Sequence, residues 1–152
     1  MANVTGLESR VRVRGMTEED VESVLEIERR VRGSNRAVTY APAPESSIGG
    51  EIEHSVVAEE NGRVVGFILG RKVHSPAEAG EIAWIDFVGL LPDYQHKGIG
   101  RRMAEGWKEL CRQKGIKKAH IMISRRDSWL QAFFESAGFS QGDLIDYETE
   151  IQ

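Results

Sequence analysis

Hydrophobic positions along the chain switch between a period of two and a period near 3.6, and the switches fall at turn-forming residues. Arg10-Val11-Arg12-Val13-Arg14 alternates, which predicts a half-buried strand. Thr17 has the character of a helix N-cap, with Asp20 at the third helical position and a Met16/Val21 hydrophobic staple around it. Val21, Val24, Leu25, Ile27 and Val31 then line one side of a helix that Gly33 ends. Residues 34–50 lose periodicity and contain two prolines and three serines. They predict a loop with a short helix near Glu45 to Ile48.

His54 to Glu60 and Arg63 to Leu69 read as strands joined by Asn61-Gly62, the residue pair that a two-residue hairpin favours. Glu81 to Leu91 is apolar on both faces, which predicts an interior strand, with Gly89 as its bulge. Met103, Ala104, Trp107, Leu110 and Cys111 share one side of a helix from Ile99 to Gln113, stopped by Gly115. A strand at Ala119 to Ser124, a helix at Ser128 to Ala137 stopped by Gly138, and a final strand at Leu144 to Ile151 complete the series. This order predicts one α/β domain over residues 1–152 with a mixed central sheet. The strands on either side of the helix from Ile99 should be parallel, because a crossover helix joins them.

Composition adds limits. No apolar run approaches the roughly 20 residues of a membrane helix, and the first residues carry no signal-peptide core. The expectation is a cytoplasmic protein with no membrane partner. The single cysteine, Cys111, excludes an internal disulfide and reads as a small core residue. Four scattered histidines give no metal-ligand spacing, so no metal is expected. Net charge is −4, but residues 96–126 hold ten of the 20 Lys/Arg and only two of the 24 Asp/Glu. A local excess of basic charge suits an anionic ligand, and the acidic remainder suits a cationic one. No aromatic-interleaved basic stripe appears, so nucleic acid is not an expected partner.

The most informative segment is Gln95-His96-Lys97-Gly98-Ile99-Gly100-Arg101-Arg102. It joins a strand to a helix start, where the first amides lack intrahelical partners and face outward along a positive dipole end. Gly98 and Gly100 would let a phosphate approach that backbone, and Lys97, Arg101 and Arg102 add charge beside it. No G-x-x-x-x-G-K-[ST] motif is present, and Met103 stands where a dinucleotide fingerprint needs its third glycine.

Leu90-Leu91-Pro92 followed by Gln-x-x-Gly-x-Gly resembles the acetyl-CoA signature of the GCN5-related N-acetyltransferases (GNAT). Asp127 to Phe139 resembles the family's second landmark, with Gly138-Phe139 matching, Asp127 in place of Asn and Phe134 in place of Tyr. The resemblance implies a GNAT fold, in which two parallel strands splay and the pantetheine arm inserts between them. It implies acetyl-CoA as acyl donor and a primary amine as acceptor: a protein N-terminus, a lysine, a polyamine or another small amine. It also implies direct attack without a covalent enzyme intermediate. Dimers are common in the family, so a homodimer is compatible with the resemblance.

By the same resemblance, the cofactor meets Val88, Leu90, Gln95, His96, Lys97, Gly98, Ile99, Gly100, Arg101 and Arg102, with Asp127 and Phe134 on the later helix. The Leu90 amide would polarise the thioester carbonyl, and Arg125 and Arg126 stand near enough in sequence to add phosphate contacts. Phe134 cannot supply the proton that the usual Tyr gives the leaving thiolate. Tyr147 is one substitute, Tyr94 and Tyr40 are others, and unassisted thiolate departure is a further alternative. Asp86, a carboxylate in an apolar run, is the first candidate for the general base, with His120 its competitor and Glu81 and His54 behind them. Two functions remain open on this reading. One is an N-acetyltransferase; the other is an acyl-CoA-binding regulatory domain without turnover, which the loss of the phenol at position 134 permits.

Overall fold

The computed structural model describes residues 10–32, 51–75 and 80–152. Five strands form one sheet in the order β1-β2-β3-β4-β5. They are β1 (Val11–Gly15), β2 (Glu51–Glu60), β3 (Arg63–Ser75), β4 (Gly80–Leu90) and β5 (Ala119–Ile121). Helix α1 (Val21–Arg32) follows a 3-10 turn at Glu18–Asp20, α2 (Ile99–Gln113) follows β4, and α3 (Ser128–Ser136) follows β5. Neighbouring strands from β1 to β4 are antiparallel, and β4 and β5 are parallel, as a crossover helix requires. The expected mixed sheet with a parallel pair flanked by helices is therefore present.

Local chemistry accounts for these elements. Asn61 and Gly62 turn the β2–β3 hairpin with φ angles of 51° and 79°, the doubly left-handed geometry that matches strand twist. The Asp20 carboxylate accepts from the Thr17 amide at 2.8 Å and pairs with Arg14 at 2.8 and 2.9 Å. Thr17 is the N-cap of the 3-10 turn, as expected, and Asp20 at the third position reaches back to the Thr17 amide as in a capping box.

α2 lies across β1, β2 and β3, whereas α1 lies across β3 and β4. Trp107 is fully buried and its indole N–H donates to the His54 carbonyl at 2.8 Å, fixing α2 on β2. Met103, Ala104 and Cys111 fill the same interface. Burial of these apolar side chains is the main force on the helix's position, at roughly 1.5–3 kcal/mol for each large side chain buried. Burial also pushes the Cys111 thiol up to about 11.

Three expectations are corrected. The irregularity in β4 is not at Gly89, which pairs in register with Phe67. Pairing passes from Leu69↔Phe87 to Gly70↔Ile85, so Asp86 is the extra residue. Gly89 serves contact instead, since a Cβ there would come within 2.5 Å of the Phe67 ring. β5 is only three residues long and does not reach Ser124. The final strand at Leu144 to Ile151 does not form, and residues 140–152 carry no strand and are all exposed. The loop at 34–50, its short helix and Tyr40 lie outside the described residues. Among the described residues, no helix is long and apolar enough to cross a membrane.

Candidate active site

Two features of β4 create an opening beside the sheet. The β4–β5 ladder contains Ala83↔Ala119, Trp84↔His120 and Ile85↔Ile121, and stops there. The extra residue Asp86 follows at once. From Val88 to Leu90, β4 therefore runs beyond its parallel neighbour. Leu91 N–H bonds the Val65 carbonyl at 2.9 Å, toward β3. Amide directions alternate along a strand, so the N–H groups of Leu90 and Val88 face the opposite edge. The Leu90 carbonyl on that edge accepts from Gln95 Nε2 at 2.9 Å. Gln95 thus clips the following turn to the end of β4.

The turn is built for a left-handed approach to the helix. His96 has φ of 62°, and Gly98, the N-cap of α2, has φ of 81°. Helical hydrogen bonding begins with Arg102 N–H to the Gly98 carbonyl at 3.2 Å. The preceding amides, Ile99 to Arg101, are those a helix leaves without internal partners. No acidic side chain occupies the first turn of α2, so the positive end of the helix dipole is not neutralised locally. The Lys97 ammonium bonds the Asp93 carbonyl at 2.9 Å and folds back along the turn. Gly100 also has a packing role: a Cβ there would stand 3.0 Å from the Phe133 ring, so its missing side chain admits α3.

Between the end of β4, this turn and α3 lies a cleft of about 370 Å³. Of the residues expected at the cofactor, Val88, Leu90, Gln95, His96, Gly98, Gly100 and Arg101 line it. Trp129, Phe133 and Ser136 line it too, and sequence reasoning missed them. Trp129 stacks on Phe133 at 5.9 Å and is 45% exposed, an aromatic ledge on the outer face of α3. The i, i+4 spacing of the two aromatic residues was the available signal. A second, more open cleft is lined by Arg12, Val13, Gly98, Arg101, Arg102 and Glu105, on the other side of the same turn.

α3 does not present Phe134 to the cleft. Phe134 is 1% exposed and meets Phe133 and Phe139 edge-on at 5.1 Å each. Asp127 caps α3, its Oδ1 accepting from Leu130 N–H at 3.0 Å, while Oδ2 is buried without a protein partner. Tyr94 donates to Glu60 Oε1 at 2.6 Å. That bond, with burial behind it, pushes the phenol up. Tyr147 is 89% exposed on the C-terminal segment. Arg125 and Arg126 are exposed on the β5–α3 connection.

Asp86 is 1% exposed, and the Arg71 Nε donates to both of its oxygens at 3.0 Å. Burial pushes the carboxyl above its ordinary range; Arg71 opposes the shift, and the charge of Glu51 reinforces it. Glu51 also accepts from the Lys72 amide at 2.6 Å, and His54 Nδ1 stands 3.3 Å from the same carboxylate oxygen. His54 is 4% exposed. Thus Asp86, Arg71, Glu51 and His54 form one polar cluster between β2, β3 and β4. Arg71 and Glu51 escaped sequence reasoning because the strand register that brings them to Asp86 depends on the Asp86 bulge itself. His120 stands apart from that arrangement and stacks on Trp84 at 5.4 Å, half exposed rather than in the core. Glu81 is exposed and pairs with Lys72 at 3.2 Å.

A parallel strand ladder that stops at a bulge thus lies beside a glycine-bearing helix mouth. Residues 21–139 match the model of the acetyltransferase (GNAT) family, and the chain belongs to that family. Solved structures agree on the fold. An aminoglycoside acetyltransferase from an uncultured soil metagenomic sample superposes with a TM-score of 0.74 at 12% identity, covering 96% of this chain and 99% of that one. The aminoglycoside N-acetyltransferase AAC(6')-Iy, in complex with CoA, gives 0.72 at 13% identity, covering 92% and 94%. A ribosomal-protein-alanine N-acetyltransferase from Brucella melitensis biovar Abortus 2308 gives 0.70 at 13% identity, covering 93% and 99%.

Proposed function

We propose that this protein transfers an acetyl group from acetyl-CoA to a primary amine, both substrates being bound together. The observation that carries the reading is the order of the site's groups along one strand and the turn after it. The α2 mouth, the outward amides of Val88 and Leu90, and the Asp86 cluster follow one another along β4 and the turn after it. The diphosphate sits on the amides from Gly98 to Arg102, with Arg101 and Arg102 beside it. The pantetheine arm runs along β4 past Val88 and Leu90, where β5 no longer pairs, and the aromatic ledge of Trp129 and Phe133 covers it. The Leu90 N–H then points at the thioester oxygen and stabilises the charge that develops there.

An ammonium group must lose a proton before it can attack. Asp86 is the group to accept it, directly or through one water, since burial has already moved its carboxyl toward a working base. Arg71 orients that carboxylate. Attack by the amine nitrogen forms the C–N bond, the tetrahedral intermediate collapses with cleavage of the C–S bond, and the second proton lost from nitrogen passes to the departing coenzyme A thiolate or to solvent, leaving a neutral amide. A free thiol has a pKa of about 8.5, so departure without an enzymatic acid is feasible near neutrality. Neither Phe134, which lacks a hydroxyl, nor Tyr94, which is bound to Glu60, is placed to assist it.

The acceptor is proposed to be cationic. Asp86 and Glu51 set a negative potential at the site, and the chain is acidic outside residues 96–126. Two of the structural neighbours are named for aminoglycoside substrates and one for a ribosomal-protein alanine. Both kinds of acceptor carry an ammonium group, so they support the amine class without choosing within it. The test is thiol release from acetyl-CoA against a panel of polyamines, amino sugars and peptides, with calorimetric titration of acetyl-CoA alone. Turnover with one class of amine is expected. Heat from acetyl-CoA without turnover on any amine would favour the acyl-CoA-binding regulatory domain, and no heat at all would reject both readings.

A further inference from the structure

β2 is irregular where it begins. Between the pairs Glu51↔Gly70 and Val56↔Ile68, β2 advances five residues while β3 advances two. The extra residues form a broad bulge. Ser55 closes it: its hydroxyl donates to the Glu51 carbonyl at 2.7 Å and accepts from the Gly70 amide at 3.1 Å. The Trp107 indole holds the His54 carbonyl at 2.8 Å. Alternation along a regular strand would set Glu53 and His54 on opposite faces. The bulge instead gathers Glu51, Glu53 and His54, with one donor atom of each within 4.8 Å of the others. Among the described residues, no other three His, Cys, Asp or Glu side chains meet this closely.

One atom of this group is unsatisfied. His54 is 4% exposed, and its Nδ1 is buried with no hydrogen-bond partner among the described residues. It stands 3.3 Å from Glu51 Oε1 and 3.8 Å from Glu53 Oε1. It therefore faces two carboxylates without making a hydrogen bond to either. A buried polar atom in that condition is costly and uncommon. Cationic side chains on β3 are engaged elsewhere, Lys72 with Glu81 at 3.2 Å and Arg71 with Asp86 at 3.0 Å. The Lys72 amide donates to Glu51 Oε1 at 2.6 Å, which fixes that carboxylate and leaves it lone pairs to spare. The Glu53 side chain is 69% exposed, so the group is open to solvent on that side.

We propose that Glu51, Glu53 and His54 bind a divalent transition-metal ion, with His54 Nδ1 and an oxygen of each carboxylate as ligands. The distances suit a shared ion. Donors about 2.0–2.2 Å from a tetrahedral metal lie roughly 3.3–3.6 Å apart. His54 and Glu51 already have that separation, and the exposed Glu53 side chain rotates into range. The ligand set selects the class of metal. Imidazole suits Zn²⁺, Ni²⁺ and Cu²⁺, whereas Ca²⁺ and Mg²⁺ take oxygen ligands. Three protein ligands leave a position for water. Linear spacing hides the set, because Glu-x-Glu-His on a regular strand is divided between two faces. The site needs neither acetyl-CoA nor an amine, so its tests use no activity and are separate from those of acetyl transfer.

The experiment is calorimetric titration of the chelator-treated full chain with Zn²⁺, beside melting scans and long-range ¹H–¹⁵N NMR of the histidine rings. One Zn²⁺ per chain is expected. At 100 times its dissociation constant it should raise Tm by about 5–10 °C, and EDTA should reverse the rise. The ion should shift the His54 Nδ1 resonance and leave those of His74 and His120 in place. Glu53→Gln alters an exposed side chain, so Tm without metal should hold while Zn²⁺ affinity falls at least about 10-fold, the least that loss of even a ligand's supporting partner costs. His74→Gln, at an exposed histidine of β3, should leave affinity unchanged. Absence of both heat and a Tm shift with Zn²⁺ would overturn the proposal. So would a Glu53→Gln variant that binds as tightly as its parent, loss of binding in His74→Gln, or Ca²⁺ bound as tightly as Zn²⁺.

Discussion

Asp86 shows how one residue links backbone irregularity to chemistry. It is unopposed in β3, buried and held by Arg71. Its carboxyl is raised, so the fold favours the protonated form: its contribution to stability is complete below the unfolded value and is lost as pH rises through the folded one. Ionised Asp86 therefore costs stability at neutral pH. Asp86→Asn should leave Tm unchanged or higher at pH 7, because the neutral amide removes that cost. The same variant should transfer acetyl groups at least about 100-fold more slowly, within the range removed with a general base. The deficit should be largest on the acid side, where few acceptor amines are already deprotonated. Equal pH–rate profiles for variant and parent would dismiss Asp86 as the base. Asp20 has the opposite sign. Arg14 lowers its carboxyl, so its stabilisation is present above the unfolded value and lost as pH falls through the folded one. Asp20→Asn should thus cost stability at pH 7 and lose its effect in acid melts. Asp86 was visible in the sequence as a carboxylate in an apolar run. Its partners were not, because a single bulge changes which β3 residue faces it.

Among the elements, α2 was the most legible. Its five apolar positions repeat at helical spacing, Gly98 precedes it, and the observed bounds are those the pattern predicts. The β2–β3 turn was equally plain, since Asn61-Gly62 satisfies a backbone requirement that few residue pairs meet. β3 ran six residues beyond Leu69, to Ser75, because its end is more polar and takes its order from pairing with β4. Gly98 was legible as the residue that opens the helix, whereas the part Gly100 plays against Phe133 required the packing of α3. These two glycines should therefore fail differently. Gly98→Glu places both a charge and a strained left-handed residue at the mouth, and should abolish coenzyme A binding in calorimetry. Gly100→Val should lower Tm by displacing Phe133, as overpacking commonly costs about 1–3 kcal/mol. Retained coenzyme A affinity in the Gly98 variant would remove the turn from the site.

At the scale of the molecule, the predicted strand at Leu144 to Ile151 failed for a reason that pattern cannot reveal. Alternation specifies which side chains could share a face but not whether a strand lies alongside to receive them. The two-signed charge distribution was legible: the α2 mouth belongs to the basic stretch, and Asp86 and Glu51 lie outside it. Acetyl-CoA should bind the native state alone. At 100 times its dissociation constant it should raise Tm by about 5–10 °C, an increment read directly in a melting scan. The packing of α2 on the sheet has a practical consequence for following the reaction. Cys111, the chain's one cysteine, is enclosed there, and its thiol remains protonated at the pH of an assay. An aromatic disulfide reagent added to the native enzyme should therefore see the liberated coenzyme alone, and protein labelling should appear only after denaturation.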